Sequence, residues 1–294
     1  MSVRTVDPPH PLGAHCARPT CAIGPTWVPV CGVSLPRLRR SVGTGPHTAR
    51  TRPATRTGPR RPDELGSRDV TRLLLASASP ARRATLQSAG IDPLVVVSSV
   101  DEPAVLAAAA ERFGTLDPAD AVLVLAQAKV EDVARAVADG TPAELADADD
   151  LVLLGCDSML ELDGEILGKP DDADDAVRRW RAMRGRTGVL HTGHWVIDER
   201  ATPDEGGEGT RGTLGATSST VVHFADLSDE EVAAYVATGE PLAVAGAFTV
   251  DGLGGPFVDR IEGDHHGVVG VSLPLLRGLL GEIGVTVPSL WRTA

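Results

Sequence analysis

The chain has 294 residues, a hydrophobic fraction of 42% and a net charge of −12, enough apolar material for a core and the wrong sign for nonspecific nucleic-acid binding. Aromatic residues make up only 3%, so the core has to be built mostly of Val, Leu, Ile and Ala. No run approaches the roughly 18 apolar residues of a membrane span, and the amino end lacks the continuous apolar stretch of a secretory signal.

The charge is unevenly spread. Residues 1–70 hold eleven Arg and no Lys against four acidic residues, a net of +7, which leaves −19 for the remainder. This stretch is rich in Pro, Arg, Thr and Gly without a sustained period, so it reads as a disordered extension, with the folded domain at 71–294. An Arg-rich, acid-poor start also fits an organelle transit peptide; the composition favours a functionless extension. Cys16, Cys21 and Cys31 match no common zinc spacing even with His10 and His15 nearby, and Cys156 stands alone in the body. The expected setting is the reducing cytoplasm.

Along the body, Arg72–Ser77 reads as a short buried strand. Ser79-Pro80 then opens a helix to about Ala89, stopped by Gly90. Leu94–Ser99 predicts a second strand. The apolar period predicts a long helix over 118–138, closed by Gly140. Leu151–Gly155 is a buried strand, and Ser158–Asp163 alternates into the turn pair Asp163-Gly164. A helix over 171–184 places Ala173, Ala176, Val177, Trp180 and Met183 on one face. A strand follows at 189–197, a Gly/Thr-rich loop expected to be mobile at 199–216, and a strand at 220–224. Ser228 and Glu231 form a capping box for a helix ending before Gly239 and Pro241. A strand near 257–262 and a helix near 274–283 complete an α/β pattern.

Four segments carry candidate chemistry. In Ala76–Arg83 a strand meets a helix start through small residues, a natural anion site: Ser77 and Ser79 can donate hydroxyl bonds, and Arg82 or Arg83 can grip phosphate oxygens. A capped helix with surface arginines is the ordinary alternative. Asp157 follows a buried strand, where an α/β sheet presents ligand-crevice residues. It can hold a divalent metal or take a proton from water, and a plain turn aspartate is the alternative. Lys129 and Lys169 are the only two lysines, which suggests phosphate contacts in a chain that otherwise uses Arg. Residues 245–255 are glycine-rich and allow close backbone approach. Asp101 and Glu102 add carboxylates that could assist a metal, and His265 and His266 stay unassigned because strand neighbours face opposite ways.

Taken together, LASASPARR at 75–83, SSVDE at 98–102, LAQAK at 125–129, GCDSMLELDGEILGKP at 155–170, MRGRTGVLHTG at 183–193 and AGAFTVDGLGGPFVDRIEGD at 245–264 resemble the Maf family of nucleotide pyrophosphatases. The resemblance implies a Maf/ITPase-like two-lobed α/β fold with a mixed central sheet and a substrate cleft between the lobes. It implies hydrolysis of nucleoside triphosphates to monophosphate and pyrophosphate with a divalent cation, Mg²⁺ or Mn²⁺, modified or non-canonical nucleotides included. Asp157 matches the family's proton acceptor. Arg82, Lys129 and Lys169 match phosphate-binding positions, Ser77 and Glu102 match polar positions at the cleft, and Glu102 with Asp157 would meet the metal; Ser79 joins the expected substrate-binding set. Ala81 replaces an arginine of the usual pattern, Ser158 stands where one subgroup has threonine, and Asp251 where that subgroup, which prefers dTTP and UTP, has glutamine. A subgroup resembling 7-methyl-GTP pyrophosphatases also lacks the first arginine and has an acid near Asp251. These three residues are therefore the specificity candidates, and neither subgroup fits cleanly. The expected partner is the nucleotide, with no nucleic acid or membrane, and a homodimer is compatible. The rival reading is a non-catalytic nucleotide-binding regulator of cell division.

Overall fold

A computed structural model describes residues 71–145 and 150–291; the expected extension over 1–70 lies outside them. In chain order the elements are β1 (Arg72–Ala76), α1 (Pro80–Ser88), β2 (Leu94–Val95), α2 (Glu102–Phe113), α3 (Pro118–Ala138), β3 (Leu151–Leu162) and β4 (Glu165–Leu167). Then come α4 (Ala173–Met183), β5 (Thr187–Asp198), β6 (Thr213–Phe224), α5 (Asp229–Ala237), β7 (Val258–Glu262), α6 (His265–Val269) and α7 (Leu273–Glu282). The strands form one mixed seven-stranded sheet in the order β2-β1-β3-β5-β6-β7, with β4 added to β3. β1 lies parallel to both neighbours and the remaining pairs are antiparallel.

The strand alternation sorts the core. Val152, Leu154 and Cys156 of β3 pack with Leu86 of α1 and Leu276, Leu279 and Leu280 of α7. Their neighbours Leu151 and Leu153 face Ala126, Val130 and Val133 of α3. Further along β3, Leu160 and Leu162 join a separate core with α4 and α5. The two lobes thus share the same long strands. Of the nine aromatic side chains, Trp180, Phe224, Tyr235, Phe248 and Phe257 gather in this second core. Trp180 meets Phe224, Tyr235 and Phe257 edge-on at 5.8, 5.5 and 6.0 Å, and its Nε1 donates to Ala247 O at 2.7 Å.

Helix α3 lies directly on the sheet because two strand positions carry no side chain. A Cβ at Gly155 would sit 2.2 Å from Ala126 O, and one at Gly193 would sit 2.4 Å from Val122 O. This close approach decides how far a side chain of α3 must reach to meet β3. At the end of β3, Asp163 and Gly164 take φ of 54° and 85°, the left-handed pair that a two-residue hairpin to β4 requires.

Several expectations change. Asp157 lies inside β3 rather than after it. The parallel partner β1 stops at the Ala76–Gly155 pair, but β5 supplies a ladder on the other side as far as Glu161. The strand expected at 94–99 is paired only over Leu94–Val95, because β1 turns away into α1 and Ser99 N instead bonds Asp132 at 2.8 Å. Helix α2 was not expected; Asp101 caps it by accepting from Ala104 N at 3.0 Å. β6 starts at Thr213, inside the expected loop, since Gly215 makes room for the Trp195 ring. The base of that loop is tied by Arg200, which donates to both Asp198 oxygens at 2.8 and 3.0 Å and to Ile283 O at 2.7 Å. His265 and His266 open α6 instead of lying on a strand.

His194 connects β5 to α7. It is fully buried, with Nδ1 3.0 Å from Thr192 O, while Nε2 accepts from Ser272 N at 2.8 Å. Nε2 is therefore unprotonated and the ring is neutral. Burial pushes its pKa down to about 4, against the bond to Thr192. The unfolded chain thus binds a proton that the folded chain refuses between its ordinary pKa near 6.5 and about 4. Stability is full above that window and falls as pH drops through it, by on the order of 3 kcal/mol. Urea unfolding at pH 7 and pH 4.5 measures this, and His194→Gln should lose less of its own stability over the same interval.

Candidate active site

The loop from β1 to α1 is built on hydroxyls and one guanidinium. Ser79 caps α1, accepting from Arg82 N at 3.4 Å, and Pro80 is the first helical residue. Ser77 is buried, and its Oγ accepts from Ser79 N at 3.2 Å and Arg82 Nη1 at 3.0 Å. Arg82 is 9% exposed. Its Nε donates to Gly270 O at 3.1 Å, Nη1 also to Cys156 O at 2.8 Å, and Nη2 to Ser158 Oγ at 3.1 Å. Four of the five N–H donors of the side chain are thereby committed. None goes to a carboxylate among the described residues, so a buried positive charge stands unpaired. Arg83, by contrast, is exposed.

Ser158 extends this network. Thr192 Oγ1 donates to Gly267 O at 2.8 Å, so the 2.9 Å contact between Ser158 and Thr192 uses the Ser158 proton. The chain Arg82, Ser158, Thr192, Gly267 joins α1, β3, β5 and α6. Thr192 was missed in the sequence, although β5 pairing sets it directly opposite Ser158.

On the α3 side of the sheet, Lys129 Nζ lies 2.5 Å from Asp157 Oδ1 and 2.7 Å from Glu102 Oε1. Asp157 is 7% exposed. Its Oδ2 accepts no hydrogen bond among the described residues, yet it is not sealed from solvent. Burial raises the carboxyl pKa above its ordinary value, with Lys129 and Arg82 opposing the rise. A raised pKa makes a better proton acceptor. Burial also pushes the neighbouring Cys156 thiol up to about 12, so it stays protonated.

The remaining candidates lie apart from this cluster. Lys169 is exposed beyond β4 and makes no hydrogen bond among the described residues. The residue before it is fixed: Gly168 O accepts from Gly246 N at 2.9 Å and Arg179 Nη1 at 2.7 Å. Ala81 is half-buried in the first turn of α1, and Asp251 is exposed. Among the described residues no three His, Cys, Asp or Glu side chains converge as a metal cage. Asp157 and Glu102, the two carboxylates on Lys129, are the residues that would hold a hard cation.

The family model described as Maf-like protein matches residues 72–283. The chain belongs to the Maf-like family. Two curated relatives, both named nucleoside triphosphate pyrophosphatase, are 53% identical to it. The protein of Salinispora tropica matches over 222 residues, 75% of this chain and 87% of its own length. That of Nocardia farcinica matches over 220 residues, 75% of this chain and 96% of its own length. A third of the same name, from Streptomyces avermitilis, is 49% identical over 220 residues, with 75% and 94% covered. The mixed sheet and its helices are consistent with the Maf fold. No helix among the described residues is long and apolar enough to cross a membrane.

Proposed function

We propose that the protein hydrolyses nucleoside triphosphates to the monophosphate and pyrophosphate, with Asp157 as proton acceptor. The observation that carries this reading is a buried carboxylate, open at Oδ2, that pairs with Lys129 and feels the charge of the buried Arg82 guanidinium, which bonds no carboxylate among the described residues. An anionic substrate supplies the missing partner for Arg82. The relatives' name supports the same chemistry.

In this mechanism the last free N–H of Arg82, the Ser77 and Ser79 hydroxyls and the start of α1 receive phosphate oxygens. Lys129 turns from its carboxylate partners toward the bridging phosphate, and Lys169 approaches from the hairpin. Asp157 Oδ2 takes a proton from water as its oxygen attacks the α-phosphorus. The bond from that phosphorus to the bridging oxygen breaks, and pyrophosphate leaves. A divalent cation held by Glu102 and Asp157 would neutralise charge on the phosphates. Positioning and charge, rather than covalent chemistry, do most of such a reaction. Ala81, Ser158 and Asp251 contribute to base choice, with Ser158 acting from within the Arg82 network. A cytoplasmic location and a homodimer belong to the same reading, as does a catalytic unit that excludes residues 1–70.

The test is a panel of canonical, methylated and modified triphosphates with and without Mg²⁺ or Mn²⁺. Monophosphate and pyrophosphate are the expected products. Orthophosphate would make the protein an ordinary phosphatase, and tight binding without turnover would make it a regulator. Within an active enzyme, Lys169→Ala should raise KM for a triphosphate about tenfold. Its melting temperature should not move, because the side chain is exposed and makes no hydrogen bond among the described residues. Unaltered KM would remove Lys169 from the site.

A further inference from the structure

Asp251 lies in an exposed stretch that the apolar core cannot hold. Leu253 is 60% exposed, and Asp251 and Gly252 are exposed beside it. The stretch is nevertheless anchored at both ends. Upstream, Gly246 is bonded to the residue before Lys169, Ala247 O takes the Trp180 indole, and Phe248 is buried. Downstream, Phe257 packs on Trp180 and Tyr235.

Between the anchors one carboxylate gathers the backbone. Glu240 Oε1 accepts from Tyr235 OH at 3.1 Å, from Gly254 N at 3.0 Å and from Thr249 Oγ1, while Oε2 accepts from Leu253 N at 2.9 Å. Glu240 forms no ion pair among the described residues; its carboxylate is engaged by three hydrogen bonds from this stretch and one from Tyr235 of α5. Burial works against its charge, but these bonds outweigh burial and hold the carboxyl below its ordinary pKa. Burial also pushes the Tyr235 phenol up to about 12, which keeps it a donor.

We propose that Glu240 is a positioning residue that sets nucleotide selectivity by holding the Asp251 stretch beside the Lys169 hairpin. The proposal rests on the reading of the chain as a triphosphate pyrophosphatase and on Asp251 facing the base. A buried core side chain would show mainly in stability. Glu240 clamps an exposed stretch between two intact anchors, so its loss shows mainly in which base is accepted.

The experiment uses the full chain and compares wild type, Glu240→Ala and Glu240→Gln. It reads kcat and KM across triphosphates of different bases, and amide hydrogen exchange over residues 249–254. Glu240→Ala should shrink the ratio of kcat/KM between best and worst base about tenfold, chiefly through KM. Exchange at Leu253 and Gly254 should quicken, with the fold retained. Glu240→Gln should recover most of the ratio, since its carbonyl oxygen can still accept from Tyr235, Thr249 and Gly254. If Glu240→Ala does not fold, Thr249→Val removes one of the four bonds and should shift the ratio the same way to a smaller degree. Faster exchange with unchanged base ratios overturns the selectivity role, and unchanged exchange overturns the clamp. Wild-type protein that releases no pyrophosphate from any triphosphate overturns the functional reading itself, a result distinct from unaltered ratios in an active enzyme.

Discussion

Asp157→Asn should release pyrophosphate about 10²-fold or more slowly than wild type in single-turnover assays, at saturating nucleotide and metal. The fold should survive. Asparagine has the same shape, and its Oδ1 can still accept from Lys129, which also keeps Glu102 at 2.7 Å. The substitution also relieves the burial of a carboxylate, the main cause of the raised Asp157 pKa. What is lost is an oxygen basic enough to take a proton from water. Melting temperature and nucleotide affinity serve as controls and should change little. Turnover like that of wild type would remove Asp157 from the proton-transfer role and leave it a partner for Lys129.

The second large effect is expected at a residue with no side chain to touch the substrate. Gly193→Ala would place a methyl group 2.4 Å from Val122 O, inside the closest real contact, so α3 must move off the sheet. Overpacking of this kind costs about 1–3 kcal/mol. The catalytic cost should be larger than that suggests. Lys129 rides on α3 and Asp157 pairs with Gly193 across the ladder, so the displacement opens the 2.5 Å contact between them. A shift near 1 Å in such a group can lower kcat/KM about 10²-fold. Urea unfolding and steady-state kinetics on one preparation separate the two losses. Gly281→Ala is the control: nothing lies within 4 Å of its Cβ, and alanine favours the helix. Normal kinetics in a folded Gly193→Ala protein would show that α3 need not lie so close.

Much of this arrangement could be read from the chain, and the failures have physical causes. The α1 start was legible because Ser79 and Pro80 act locally, as was the capping box at Ser228, whose reciprocal bonds both form. Residues 101–103 carry an equally local start signal for α2, but Ala-rich α2 buries little beyond Ala109, so no apolar stripe announced it. The end of β3 was misjudged because apolar residues give way to Gly155 and Asp157. Nothing local reveals that β5 continues the ladder there. Lys129 and Asp157 stood out by scarcity and by resemblance, but their contact depends on two glycines contributed by different strands. Glu240 passed unnoticed between Gly239 and Pro241, residues that read as the end of a helix. Its partners at 249–254 follow in the chain, yet no period links them to it.

The three strands of twelve residues, β3, β5 and β6, pass from one lobe into the other without a break. A hinge needs a few residues free to change φ and ψ. Along β3 and β5 the ladder instead continues from Val152–Asp198 to Glu161–Val189, straight past Asp157. The sheet therefore behaves as a single beam, and bending it at the cleft would break pairing on several strands at once. Nucleotide entry must be managed by side chains and by segments resting on the beam. If Asp157 is the proton acceptor proposed above, its carboxylate then keeps its bearing before, during and after each turnover.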